Sequence, residues 1–120
     1  MIDRECARMK LYCDLYISEC WIKKREKLIN RLRSNRLLPH MYVITLPACG
    51  RNNLEFYSGI LLRQHVIKSG SLFVVGIADG YEECLSITEK ITDEVYRATG
   101  DADIRGFILD RQMQYEKAGQ

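Results

Sequence analysis

Two short apolar runs constrain this chain most. Met41 to Leu46 (Met-Tyr-Val-Ile-Thr-Leu) lies between Pro39 and Pro47, and Leu72 to Ala78 (Leu-Phe-Val-Val-Gly-Ile-Ala) follows Gly70. Both runs are β-branched or aromatic, too short for buried helices, and apolar without alternation. That pattern predicts strands covered on both faces, the situation of a parallel sheet. Pro39 also biases its neighbours toward extended structure, and Pro47 closes the first run.

The segments around these runs carry helical spacing. From Asp3 to Asn35 there is neither proline nor glycine, and Cys6, Met9, Cys13, Tyr16 and Cys20 recur three or four residues apart, followed by Leu28 and Leu32. This reads as one long N-terminal helix over 3–35. Between the two strands, Leu54 to Lys68 presents Phe56, Tyr57, Ile60, Leu61 and Ile67 as a helical stripe, with Asn52 or Asn53 available as its cap. After the second strand, Asp79 and Glu82 stand three apart in the manner of a capping box. They precede a third helix over about Tyr81 to Thr99, lined by Cys84, Ile87, Ile91, Val95 and Ala98 and ended by Gly100. Ile104 to Leu109 is ambiguous between a short final helix capped by Asp101 and a final strand; the strand is favoured here, because a two-stranded sheet is rarely stable alone.

The expected architecture is therefore α/β: helix, strand, helix, strand, helix and a final strand. It is a small parallel-type sheet covered by helices and joined by right-handed crossovers. With 120 residues the chain is one domain over 1–120, with a βαβα core over 41–110 and a polar, disordered tail over 115–120.

Composition narrows the function classes. The chain is 47% apolar and 28% charged, an ordinary globular mixture. No stretch approaches the roughly 18 apolar residues of a spanning helix, so no membrane partner is expected. No basic start with an apolar run marks a secretory signal, so the five cysteines are expected to be reduced thiols and the protein cytoplasmic. No Cys-x-x-Cys pair is present, so neither metal nor cofactor is expected. No glycine-rich phosphate loop or nucleophile elbow is present either, and the balance leans away from an enzyme.

Three functional readings follow. In the first, Cys6, Cys13 and Cys20, seven residues apart, mark a packing seam on the long helix. Successive thiols would lie about 10 Å apart, too far to share a metal or a disulfide; the seam would pack on the chain's own sheet or on a second copy, and the second case gives a homodimer with interaction or regulatory duties. In the second, the loops after the two strands build a polar edge for a small molecule or an enzymatic site. That edge holds Cys49, Arg51, Asn52 and Asn53 from the first loop and Asp79, Tyr81 and Glu82 from the second. Cys49 has no evident histidine partner, since His40 would fall at the far end of its strand. In the third, the basic stretch from Lys23 to Arg36, with Lys23, Lys24, Lys27 and Arg31 as the leading contacts, binds nucleic acid. Against it stand a net charge of only +2 and an acidic third helix that offers the basic stretch a partner within the chain or across a dimer.

Overall fold

The computed structural model describes residues 10–33, 40–47, 54–59 and 73–119. Strand β1 spans Lys10–Ile17. It is followed by a 3₁₀ helix over Glu19–Lys24 that continues as α1 over Arg25–Arg33. Strands β2 (Met41–Leu46), β3 (Glu55–Ser58) and β4 (Phe73–Asp79) come next. Helices α2 (Tyr81–Thr99) and α3 (Ile104–Ala118) close the chain. The four strands form one mixed sheet in the order β1-β4-β2-β3. β1 and β4 run parallel, while β2 is antiparallel to both β4 and β3.

The α/β class stands, as do the strands at Met41 and Phe73 and the helix from Tyr81 ended by Gly100. Gly100 adopts φ 75°, the left-handed conformation that costs glycine least, and its N–H closes the helix on the Tyr96 carbonyl. Several other expectations are corrected. The long N-terminal helix is interrupted, because residues 10–17 are a strand. Cys13 and Cys20 therefore share no helical seam, and the homodimer built on that seam loses its basis. The two apolar runs lie antiparallel, pairing Met41 with Asp79 and Leu46 with Phe73. Glu55–Ser58, expected at the start of a helix, is a strand. Finally, Ile104–Ala118 is a helix capped by Asp103, whose carboxylate accepts from the Gly106 N–H at 3.0 Å. It carries Tyr115 to Ala118, expected as a disordered tail, in its last turn.

The sheet is covered on both faces. On one, Trp21, Leu28 and Leu32 from the helical segment pack on Leu15, Met41, Val43, Val74 and Ile77. On the other, Cys84, Ile87, Ile91 and Val95 of α2 and Ile104 and Ile108 of α3 cover Tyr12, Ile44, Leu46, Val75 and Ala78. β4 thus gives Val74 and Ile77 to one core and Val75 and Ala78 to the other. This is why its sequence is apolar without alternation, although only one of its two neighbours is parallel. Each fully buried aliphatic side chain contributes about 1.5–3 kcal/mol. Gly76 sits in mid-strand because a Cβ there would lie 3.1 Å from Ile44 Cδ1 and 3.4 Å from the Tyr16 carbonyl oxygen.

β1 is an edge strand with a pronounced irregularity. Leu11 pairs with Val74 and Tyr16 with Gly76, so the ladder slips between them. Helix α3 closes over this stretch. The Gln112 Oε1 accepts from the Cys13 N–H at 2.8 Å, and Gln112 Nε2 in turn donates to Glu116 at 3.0 Å. Lys10 and Glu116 pair at 2.8 Å, and Asp14 and Arg111 at 3.6 Å. Gln112 is only 7% exposed, so its amide replaces a strand partner that the irregular backbone lacks.

Candidate functional site

Because β1 and β4 are parallel neighbours, their carboxyl ends meet at one side of the sheet. The chain leaves them toward opposite faces, β1 into the 3₁₀ helix and β4 into α2. A crevice at such a divergence is where open α/β sheets place ligands. A cleft of about 1020 Å³ opens there, lined by Ser18, Cys20, Arg25, Asp79, Glu83 and Lys90 among others.

Ser18 joins the two strand ends. Its N–H donates to the Ile77 carbonyl at 3.2 Å, and its Oγ accepts from the Asp79 N–H at 2.9 Å. Ser18 is 1% exposed, so these bonds are sheltered from water. They hold Asp79 with its carboxylate at the cleft. The Cys20 thiol donates to Asp79 Oδ2 at 3.4 Å, and His40 Nε2 lies 3.4 Å from Asp79 Oδ1. His40 reaches this side because β2 runs antiparallel and starts opposite Asp79. Its ring stands 5.9 Å from that of Trp21. On the wall, the Tyr16 hydroxyl donates to Glu94 of α2 at 2.6 Å.

The electrostatics are mixed. Glu19, Asp79 and Glu83 bring negative charge, and Arg25 and Lys90 bring positive. Partial desolvation, then the hydrogen bond to Asp79 and the charges of Asp79 and Glu83, push the Cys20 thiol up. Cys20 is therefore a protonated donor at neutral pH, not a thiolate. Asp79 also stands between the thiol and His40, so the imidazole is not placed to take the thiol proton. The arrangement favours binding over nucleophilic chemistry.

Of the residues picked from sequence, Asp79 belongs to the cleft. Its expected capping role does not hold, because Gly80 occupies the N-cap of α2 without a side-chain cap bond. Tyr81 turns toward Tyr42, with ring centroids 5.7 Å apart, and Glu82 is exposed; Glu83 lines the cleft in their stead. Cys49, Arg51, Asn52 and Asn53 lie outside the described residues. Among the described residues no group of three or more His, Cys, Asp or Glu side chains is arranged to hold a metal ion. Lys23, Lys24, Lys27 and Arg31 are exposed on the 3₁₀ helix and α1, away from the cleft lining. Sequence reasoning did not place Ser18 or Glu83 at the site, assigned Cys20 to a helical seam instead, and set His40 aside. No motif marks them, because only the strand register brings them together.

The chain matches no protein-family model, no curated protein and no solved structure. No helix among the described residues is long and apolar enough to cross a membrane.

Proposed function

We propose that this chain is a binding protein for a small polar molecule carrying a protonated amine, held in the cleft at the ends of β1 and β4. One observation carries the reading: Asp79 is fixed by Ser18 at the meeting point of two parallel strands and presents its carboxylate to an open cleft. A carboxylate has about four acceptor positions, and Cys20 and His40 use two, so capacity for an ammonium remains. Glu19 and Glu83 deepen the negative field, while Arg25 and Lys90 suit a polar or anionic second group on the ligand.

The test is a thermal-shift series with diamines, basic amino acids and neutral amino acids, against acetate and phosphate as anionic controls. An amine should raise the melting temperature in a concentration-dependent way, since ligands that bind only the folded state stabilise it by mass action. The fluorescence of Trp21, the chain's single tryptophan, should respond as well, because its ring lies beside His40. Asp79→Asn should abolish both responses while the protein stays folded. Indifference to every amine, or an unchanged response in Asp79→Asn, would overturn the reading.

A further inference from the structure

The helical segment that follows β1 carries a charge distribution the cleft does not use. Residues 19–33 hold six basic side chains (Lys23, Lys24, Arg25, Lys27, Arg31, Arg33) against Glu19 and Glu26, and all eight are exposed. Lys23 and Lys24 end the 3₁₀ helix, and Lys27 and Arg31 follow on α1, four residues apart on one side of it. Trp21, Leu28 and Leu32 form the neighbouring stripe, and these are buried against the sheet. The basic flank is therefore fixed rigidly and faces outward.

Its three lysines are also uncompensated among the described residues. The ion pairs among the described residues are Lys10–Glu116, His40–Asp79, Arg97–Asp93 and Arg111–Asp14. None involves Lys23, Lys24 or Lys27. The acidic helix α2 makes no ion pair with them within the chain, the first of the two destinations the sequence suggested. Exposed lysines clustered on a rigid helical segment keep their positive potential for an outside partner.

We infer that this flank binds the phosphate backbone of nucleic acid without reading its sequence. Three features select that partner over other anionic surfaces. Three of the four contacts are lysine, a residue depleted at protein–protein interfaces. The segment's exposed large apolar side chain, Ile22, lines the cleft and not the basic flank, so the flank itself offers a protein partner no such anchor. A membrane-surface helix needs a free apolar face, and that of α1 is consumed by the core. None of Lys23, Lys24, Lys27 and Arg31 lines the cleft, so this inference stands apart from amine binding.

The experiment is fluorescence anisotropy of a labelled duplex of about 20 base pairs and a single strand of equal length, titrated with the full chain between about 50 and 300 mM salt. Four phosphate contacts give a log–log salt slope of about −3 to −4 on duplex and about −3 on single strand. The triple variant Lys23→Glu/Lys24→Glu/Lys27→Glu should weaken binding at least tenfold at low salt and bring the slope to about −1. Its melting temperature should stay near that of the parent, since the three side chains are exposed. An intact affinity or slope in the triple variant would refute the inference, as would absence of binding at about 50 mM salt. Equal affinity for polyglutamate would refute it in favour of an acidic protein partner. A dimer by sedimentation that the triple variant dissolves would refute it in favour of a second copy.

Discussion

Removing the Ser18 hydroxyl should destabilise the whole domain and loosen the cleft together. In Ser18→Ala the backbone bonds of residue 18 survive, namely its N–H to Ile77 and its carbonyl to the Trp21 N–H at 2.8 Å. What is lost is one acceptor, the Oγ at 2.9 Å from the Asp79 N–H. Residue 18 is 1% exposed, so water has little access to replace it, and an amide left without a partner costs about 1–3 kcal/mol. Unfolding entropy of about 2.1 cal/mol/K per residue makes 1 kcal/mol equal to about 4 °C in a chain of 120 residues. The expected fall in melting temperature is therefore about 4–12 °C, with an unchanged denaturant m-value. Ser86→Ala serves as the control, because Ser86 is an exposed cleft residue and its loss should cost within about 0.5 kcal/mol. Amide exchange at Asp79 should quicken in Ser18→Ala and not in the control. A Ser18→Ala protein that melts within about 1 °C of the parent, with Asp79 still protected, would show that the hydroxyl does not hold the strand ends.

Two further outcomes follow from the buried groups. Gln112→Leu keeps the volume but strands the Cys13 N–H, so urea unfolding should show a loss of about 1–3 kcal/mol and faster exchange at Cys13, and an unchanged exchange rate there would contradict the bridging role. Burial pushes the Cys84 thiol from 9.0 up to about 11, and burial with the Asp14 charge pushes Tyr12 from 10.0 up to about 12. In each the protonated form is favoured by folding, so stability is complete below the unfolded values and is lost as pH rises through the folded ones. Urea midpoints measured from neutral pH upward should begin to fall near pH 9, Cys84→Ala should remove the first part of that decline, and a midpoint constant to pH 11 would contradict it.

The sequence made some elements readable and hid others for physical reasons. Met41–Leu46 and Phe73–Asp79 declared themselves because both faces of each are covered. Apolar runs, however, carry no sign of direction, so antiparallel pairing was invisible, and with it the approach of His40 to Asp79. β1 was misread for a specific reason. Its irregular pairing buries Tyr12 and Leu15, three residues apart, where a regular strand would bury alternate residues. That spacing imitates a helix, and the regular recurrence of Cys6, Cys13 and Cys20 reinforced it. In α3 the buried stripe is Ile104, Ile108 and Gln112, and the polar third member broke the apolar period. The cap at Asp103 with Gly106 was the available signal. At the site, only Asp79 was legible. Ser18, Cys20 and Glu83 look like ordinary polar residues until the parallel pairing of β1 with β4 sets them around one cleft.

The closure of α3 over β1 has a consequence for the newly made chain. Strands 10–17 and 73–79 are made before residues 104–118, so for that interval the Cys13 amide has no Gln112 to meet and the outer backbone of β1 is an open template for any strand nearby. The last helix thus acts as a latch against cross-chain pairing, and shortened chains ending before Gln112 should clump even though every strand of the sheet is present.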